Sequence, residues 1–556
     1  MPALPQGYNL LLVTVDQERH FGTYPFPVPG RERLMARGVS FTHHTACSIA
    51  CTSSRSVMYT GWHMPQTAMY DNTGLPWMTH SLDPALGTLG TLLGEAGYYA
   101  AYLGKWHLSN ELDRVYVAGD IAGQPSAKFH AIMKSYGFED YHGLGDVIGG
   151  LHGGYLYDDT TTGQVLGWLR GTGKTLNAGG APWFLAVNLV NPHDVMFIDT
   201  DEPGEREQWT GSAVGMHPAQ PPDHPLYRAA WDDVPLPASR HQPWDAPGRP
   251  PAHREYQQAR AVLVGEFPDE DRRWRKLQTY YFNCIRDSDT HLVRLLDELD
   301  RLDLARKTVV VFTSDHGELG GHHRMHGKGS SVYREQLRVP MVVAHPAFAG
   351  GASCRALTCH LDLAPTLLGL TGLPAARRRA LLGDRKGRDF SPLLAAPAQA
   401  GPHAVRDASL YGYAMILYTD AHYLAQMRAT RHREDLDAQG KRRAVEKLRV
   451  DLDKRSGIRC IDDGRHKFAR YFSLRQHHLP RSLAELLAGN DVELYDLRDD
   501  PHEMHNLAAD PRRHDDLLMA MNRKLNALIE EEIGSDEGDY LPMSGFGGWN
   551  LQVAVE

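Results

Sequence analysis

This chain of 556 residues has few cysteines, no long apolar run and no excess of basic residues. Its six cysteines contain no CxxC pair, which argues against both a disulfide framework and a redox motif of that type. No apolar run approaches the roughly 20 residues that a membrane-spanning helix needs, and the first residues show no secretory signal. We therefore expect a cytoplasmic protein without a membrane partner.

The charge balance also narrows the choice of partners. Lys and Arg number 59 against 68 Asp and Glu, a net charge of −9. This balance gives no reason to expect nucleic acid as a partner. The composition, 42% hydrophobic and 23% charged, is that of a globular protein. Because single domains usually span about 100 to 200 residues, we expect a large core accompanied by a smaller unit.

Apolar strands that end directly in polar side chains recur along the chain and define the predicted fold. The class is α/β, with a large mixed, mostly parallel sheet sandwiched by helices in residues 1–400 and a smaller C-terminal α+β subdomain in residues 401–556. Residues 201–255, rich in proline and tryptophan, are predicted to form an insertion or lid. Strands are predicted at 9–15, 100–103, 183–190, 308–314 and 338–344, and helices within 30–38, 88–99, 270–305 and 511–533.

The segment that begins at Ala50 carries a nucleophilic side chain at a predicted helix start. Cys51 precedes two serines that can cap a helix, Arg55 lies one turn in, and Gly61 can end the helix. Unpaired N–H groups and the positive end of the helix dipole suit a thiolate, an oxyanion or a bound sulfate or phosphate. The alternatives are a buried structural thiol, and a thiol pair or half a zinc site formed with Cys47.

Two predicted strands end in groups that can bind a metal ion. Asp16 and Gln17 follow the first strand, and Asp315 and His316 follow strand 308–314. Ligands in open α/β sheets bind at the carboxyl ends of strands, where these side chains could lie together. Carboxylate, amide and imidazole groups are enough to hold one divalent cation. A structural or hydrogen-bonding role is the alternative for either pair alone.

Further cationic and titratable side chains follow other strands or lie in nearby loops. They are Lys105, His107, His193 and Lys328. A metal ion and ammonium groups can neutralise the oxygens of a tetrahedral anion, while an imidazolium can protonate the leaving oxygen. Each of these residues taken singly could equally have a structural role.

Taken together, these segments resemble the type I sulfatases of the alkaline phosphatase superfamily. The resemblance covers nearly the whole chain, and the order and spacing of its motifs are jointly specific. It implies an alkaline phosphatase-like fold and hydrolysis of sulfate monoesters by S–O cleavage. The matching stretches are NLLLVTVDQ, CTSSRSVMYTG, YDN, GYYAAYLGKWH, NPHD, TSDHGELGG, GKGSSVYREQLRVP, HLDLAPTLLGLTG and ELYDLRDDPHEMHNLA.

The resemblance implies a modified nucleophile and one metal ion. Cys51 would be oxidised to formylglycine by a formylglycine-generating enzyme, and its aldehyde hydrate would attack the ester. Arg55 would steady that hydrate and its charge. The ion would be Ca²⁺ or Mn²⁺, and the residues implied to hold it are Asp16, Gln17, Asp315 and His316.

The resemblance also implies roles for the remaining site residues. Lys105 and His107 resemble the pair beside the nucleophile, with His107 assisting breakdown of the covalent ester. His193 and Lys328 resemble the pair that holds the transferred group and protonates the leaving oxygen. Asn72 matches an asparagine found near the substrate in some branches.

Two departures from the family pattern keep alternatives open. Ser53 stands where the maturation motif Cys-x-Pro-x-Arg has proline, so an unmatured, non-catalytic binding protein is one alternative. Gln17 and His316 replace acidic and amide residues as in the choline sulfatase and phosphonate monoester hydrolase branches, so a phosphonate monoester or phosphodiester hydrolase is another. A zinc-dependent phosphatase fits less well, because the ligands suit one cation. A homo-oligomer, reached through the aromatic tail 540–549, is also open.

Overall fold

The computed structural model describes residues 6–75, 77–112, 126–142, 152–208 and 218–542. Its strands form a large sheet and a small one. The large sheet contains β1 (Asn9–Asp16), β2 (Val39–Thr45), β3 (Tyr99–Gly104), β4 (Asp140–His142), β5 (Trp183–Pro192), β6 (Thr308–Ser314), β7 (Met341–Ala344) and β8 (Ala352–Cys359). The small sheet contains β9 (Ser409–Tyr413), β10 (Arg455–Asp462), β11 (His466–Ser473) and β12 (Asp491–Asp496).

The large sheet is mostly parallel, as predicted. Its strand order is β4-β3-β5-β1-β6-β7-β2-β8, and β7 runs antiparallel to both of its neighbours. Strand β1 lies between β5 and β6 and is parallel to both. The carboxyl ends of β1, β5 and β6 therefore meet at one edge of the sheet.

Helices pack on both faces of this sheet, and others accompany the small sheet. They are α1 (Pro29–Arg37), α2 (Cys51–Thr60), α3 (Met64–Thr67), α4 (Leu89–Glu95), α5 (Ser126–Ser135), α6 (Gly153–Trp168), α7 (Lys174–Ala178), α8 (Pro251–Val264), α9 (Asp271–Arg301), α10 (Arg334–Leu337), α11 (Leu363–Leu370), α12 (Ala375–Leu382), α13 (Ala421–Arg431), α14 (Ala438–Val445), α15 (Leu483–Gly489) and α16 (Asp515–Glu532).

The side chains of β1 alternate between two apolar clusters, which explains why the strand is apolar throughout. Leu10 and Leu12 belong to the cluster on one face, and Leu11 and Val13 to the cluster on the other. Burial of each such side chain stabilises the fold by about 1.5–3 kcal/mol. A strand buried on both faces must be central, and its carboxyl end is held rigidly.

The small sheet is antiparallel, in the order β12-β11-β10-β9. On one face Phe468 packs in a cluster with Leu525 of α16, while Ala469 and Tyr471 on the other face belong to the main apolar cluster. This sheet and its helix correspond to the predicted smaller C-terminal α+β part.

The predicted helices are present, with bounds within a few residues for three of them. The prediction at 270–305 corresponds to α9, that at 511–533 to α16 and that within 30–38 to α1, whereas α4 is shorter than the predicted 88–99. Helix α8 begins inside the segment 201–255, whose described remainder consists of turns and short 3₁₀ helices such as Pro225–Arg228.

Helix α6 escaped assignment from sequence for a physical reason. It opens with Gly153 and Gly154 and contains a run of three threonines, all poor helix formers. Its packing against α9 and β5 overrides these preferences.

Two further expectations concern the exterior. No helix among the described residues has both the length and the apolar composition needed to cross a membrane. Residues 543–549, most of the aromatic tail considered for oligomer contacts, lie outside the described residues.

Candidate active site

Helix α2 places Cys51 at its first position, with every residue of the helix buried. Gly61 ends the helix in a left-handed conformation with φ 70°, as predicted. The expectation that serines cap this helix is wrong, because Ala50 is the N-cap and no side chain caps it. Ser53 and Ser54 lie inside the first turn, and the hydroxyl of Ser54 donates instead to the carbonyl of Asp315.

The predicted metal ligands meet at the carboxyl ends of β1 and β6. Val15 pairs with Ser314, so the residues that follow them lie side by side. His316 Nε2 is 3.6 Å from both Asp16 Oδ1 and Asp315 Oδ1. One ligand atom from each of Asp16, Cys51, Asp315 and His316 lies within 4.8 Å of the others.

Cys51 lies inside this cluster. Its Sγ is 3.3 Å from His316 Nε2, 2.9 Å from Lys328 Nζ and 3.8 Å from Asp16 Oδ1. The sequence placed these residues on separate segments, and the fold brings them together around one sulfur atom.

The side-chain oxygen of Gln17 contacts Lys328, which also contacts Cys51. The amide nitrogen of Gln17 donates to Glu318, and its Oε1 accepts from Lys328 Nζ at 2.7 Å. Glu318 also accepts from the backbone N–H groups of Gly320 at 2.9 Å and Gly327 at 2.6 Å. Glu318 thereby fixes which end of the Gln17 amide faces the cluster, and it holds the loop that carries Lys328.

Two lysines and two imidazoles set the electrostatics of the cluster. Burial alone would raise the pKa of Asp16, but the positive charges of Lys105 and Lys328 hold that pKa well below its ordinary value. Burial lowers the pKa of His316 to about 4, so its imidazole is neutral, as a metal ligand must be. Burial and the charge of Lys328 lower the pKa of His193 well below its ordinary value, which leaves His193 neutral as well.

Arg55 connects Asp315 to the segment after β3 and to strand β5. Its guanidinium donates to the carbonyl of Trp106 at 3.0 Å and to Asn188 Oδ1 at 2.6 Å, and Nη1 is 3.5 Å from Asp315 Oδ2. Only the last contact reaches one of the predicted metal ligands. The structure therefore gives Arg55 a positioning contact with Asp315 and places most of its donors on the segment after β3.

His107 and Asn72 flank the start of α2. The carbonyl of His107 accepts from the hydroxyl of Thr52 at 2.9 Å, and Asn72 Oδ1 accepts from the N–H of Thr52 at 3.3 Å. His107 is 2% exposed. The structure thus brings both residues beside the residue that follows Cys51.

Two residues that matter here had no role in the sequence prediction. Asn188 lies in the otherwise apolar strand β5 and binds both Arg55 and the hydroxyl of Tyr59, at 2.6 and 2.8 Å. A buried polar residue inside an apolar strand is a signal that sequence inspection could have used. Glu318 lies two residues after His316, in the loop that follows β6. Its position next to the predicted metal ligands is the signal that could have identified it.

The cluster favours an anionic ligand when a divalent ion is bound. Three carboxylates and three cationic side chains balance each other in charge at this cluster. They are Asp16, Asp315 and Glu318, and Lys105, Lys328 and Arg55. A divalent cation would leave this set of side chains with a net positive charge. The oxygen-rich donor set with one imidazole suits such an ion, and the two lysine ammonium groups already gather around the same carboxylate.

We expect Glu318→Gln to lower kcat/KM and metal affinity by about 10- to 100-fold. Glu318 accepts three N–H donors, and a glutamine has one oxygen with which to replace two. Steady-state kinetics with metal titration measure the effect. Glu493→Gln is the matched control, because Glu493 is a buried carboxylate that accepts from Tyr471 and Tyr495 at 2.6 Å each. Equal kinetics in both variants would show that Glu318 does not position the site.

The structure thus combines a mostly parallel sheet with a cysteine at a helix start, beside carboxylate and imidazole groups at two strand ends. The sulfatase family model matches residues 8–373, and the chain belongs to the sulfatase family, whose members are sulfuric ester hydrolases.

One curated relative and two solved structures illustrate what this chain and its fold are similar to. The chain is 27% identical to steryl-sulfatase of Mus musculus over 445 residues, covering 72% of this chain and 67% of that protein. Its fold is similar to that of a 2-O GAG sulfatase, with TM-score 0.64, 19% identity and coverage of 94% and 92%. It is also similar to the phosphonate monoester hydrolase of Agrobacterium radiobacter, with TM-score 0.59, 20% identity and coverage of 95% and 96%.

Proposed function

We propose that this protein hydrolyses sulfate monoesters of small molecules by S–O cleavage, with formylglycine derived from Cys51 and one divalent metal ion. The observation that carries the proposal is the position of Cys51 Sγ, in contact with both His316 and Lys328 at the first turn of α2. A group bound at this position faces the metal ligands and the positive end of the helix.

The residues proposed to hold the ion, Ca²⁺ or Mn²⁺, are Asp16, Gln17, Asp315 and His316. Together, the ion and the formylglycine hydrate would supply an activated oxygen nucleophile and neutralise charge on the transferred group. The support is the convergence of these side chains on Cys51 and the orientation of the Gln17 oxygen by Glu318.

The surrounding side chains are assigned by their charge. Lys328, within hydrogen-bond distance of Cys51, would bind an oxygen of the transferred sulfuryl group. The resemblance implies that His193 and Lys328 protonate the leaving oxygen, but a neutral His193 has no acidic proton to give and would instead donate an N–H hydrogen bond toward that oxygen. Lys105 would keep Asp16 ionised, His107 would assist release of sulfate, and Asn72 would bind the substrate beside Thr52.

Maturation requires that a formylglycine-generating enzyme act on Cys51 before this helix is buried. Ser53, which replaces proline, is the third residue of α2, and the first i to i−4 helix bond at this end comes from the N–H of Ser54. The side chain of Ser53 has no hydrogen-bond partner. The helix therefore needs neither the backbone N–H nor the hydroxyl of Ser53. We propose that this position tolerates either serine or proline in the folded state.

Hydrolysis of phosphonate monoesters or phosphodiesters at the same site is the second candidate. The observation that favours it is Gln17, an amide where a carboxylate would add negative charge to the metal site. The third possibility, an unmatured binding protein, would retain the thiol of Cys51 and show no turnover.

Rates with an aryl sulfate and an aryl phosphonate monoester, measured on protein from the native host, separate the two reactions. We expect the sulfate to be the better substrate. A preference of about a hundredfold for the phosphonate would overturn the sulfatase proposal.

A further inference from the structure

We propose that His323, Glu335 and Glu503 bind a second divalent metal ion of the zinc or manganese type, separate from the cluster around Cys51. One ligand atom from each of the three side chains lies within 4.8 Å of the others, and all three residues are buried. One imidazole and two carboxylates form a donor set that such ions accept. This inference does not depend on the ester that the enzyme cleaves.

The orientation of His323 leaves one ring nitrogen facing the cluster. Its ring lies parallel to that of Tyr333, with centroids 3.4 Å apart. Its Nδ1 is 2.8 Å from Gln242 Oε1, and the amide nitrogen of Gln242 donates to the carbonyl of Met504 at 3.5 Å. The Gln242 oxygen can only accept, so Nδ1 carries the proton and Nε2 presents a lone pair.

The second observation is a buried carboxylate oxygen without a partner. Glu335 is 8% exposed, and its Oε2 has no hydrogen-bond partner. This oxygen lies 3.9 Å from His323 Nε2. A buried acceptor left unpaired destabilises the fold, and more so when it is charged, so a ligand for this oxygen is expected.

The separation of these two acceptors is wider than a hydrogen bond and suits an ion between them. A proton would draw the nitrogen and oxygen to about 2.7–3.2 Å. An ion about 2.0–2.2 Å from each atom spans a gap of 3.9 Å. His322 Nδ1, 3.3 Å from Glu335 Oε1, is placed to support the same carboxylate.

Glu503 can join the site while keeping its existing contacts. Its Oε1 pairs with Lys467 at 2.5 Å, and its Oε2 accepts from the N–H of Arg334 at 2.8 Å. Each carboxylate oxygen has two lone pairs, so one remains on each. Lys467 pairs with Glu503, and Arg334 Nε lies 3.8 Å from Glu335 Oε1. An ion would therefore be held by the unpaired Glu335 Oε2 and the His323 lone pair rather than by an excess of negative charge.

The ion would join the C-terminal part of the chain to the loop that carries Lys328. His323 lies in that loop, Glu335 in α10, and Glu503 after β12. We therefore expect this to be a structural metal site that stabilises the fold and does not contact the substrate.

The test is the metal content of the full-length protein, measured by inductively coupled plasma mass spectrometry after purification with added zinc or manganese. In the double variant Asp16→Asn/Asp315→Asn, which weakens the active-site ion, we expect about one equivalent per chain to remain. Adding His323→Gln or Glu335→Gln to that background should remove it. Glu493→Gln, which removes a buried carboxylate outside both clusters, should retain it.

A second measurement keeps the test independent of that background. In the otherwise unmodified chain, His323→Gln should lower metal content by about one equivalent and abolish part of the rise in Tm produced by added metal. Circular dichroism confirms folding of each variant. Unchanged metal content in folded His323→Gln and Glu335→Gln proteins would overturn the proposal and leave a protonated Glu335 as the explanation. Because the readout is metal content, failure here is distinguishable from absence of sulfatase activity.

Discussion

Replacing Cys51, the proposed precursor of the nucleophile, with alanine should lower kcat for sulfate ester hydrolysis by at least about 10⁴-fold, as loss of a nucleophile does in other hydrolases. The variant keeps the metal ligands and Lys328, so it should still bind the substrate while losing turnover. The side chain is small and buried at a helix start, so the stability of the fold should change little. Steady-state kinetics and the mass of the peptide containing Cys51, about 18 Da lower after conversion to formylglycine, measure the effect.

Cys47→Ala is the matched control. Cys47 is a buried thiol four residues before Cys51. It packs with Val57, Cys359 and Leu361 rather than with the proposed metal ligands. We expect its kcat to stay within about twofold of the parent value. An intact thiol at Cys51, together with turnover that survives Cys51→Ala, would show that the nucleophile is another group.

Ser53→Ala separates folding from maturation. It removes a buried hydroxyl that has no partner, so the free energy of unfolding should be unchanged or slightly higher. A lower yield of formylglycine in this variant, with unchanged stability, would locate the effect of the residue in recognition by the maturing enzyme.

Asp16→Asn has the second largest expected effect, on metal binding and stability together. Asp16 pairs with Lys105 and lies 3.6 Å from Lys328 Nζ, and all three side chains are buried. Removing the charge leaves two buried ammonium groups without their nearest carboxylate, a loss of about 3–5 kcal/mol of stability. Metal content should fall in parallel, and with it kcat/KM. Chemical denaturation and metal analysis measure the two losses separately.

Asp362→Asn distinguishes a general loss of stability from loss of the site. Asp362 forms a buried ion pair with Arg406, 2.7 Å away and outside the active site. We expect a similar loss of stability but full metal content and unchanged kcat per folded molecule. If both variants lost metal equally, Asp16 would be acting only through the fold.

Much of the architecture could be predicted from the sequence. A strand buried on both faces must be apolar throughout, and β1, β5 and β6 were recognisable for that reason. The amphipathic pattern of α9 is long enough to be unambiguous. Helix α6 was missed because tertiary packing and not local preference makes that segment helical. The start of α8 was missed although its Ala, Glu, Gln and Arg residues favour a helix.

The sequence by itself determined the class of fold, the family, and which strand ends carry chemically capable side chains. These properties follow from local composition and from motifs that any reader of the chain can see. Only the tertiary structure decided that Cys51, Asp16, His316 and Lys328 surround one point, since their contacts join distant residues: Cys51 and Lys328, for example, are 277 positions apart.

The structure alone also revealed the supporting residues. Glu318 orients Gln17, Asn188 binds Arg55, and Glu335 leaves an oxygen unpaired beside His323. The spacing of residues along the sequence does not predict these roles. A hydrogen bond requires donor and acceptor positions that are accurate to a few tenths of an ångström, and only packing sets them that closely. The sequence identifies the reactive side chains. The packing of strands and loops determines which of these side chains lie close enough together to act on one substrate molecule.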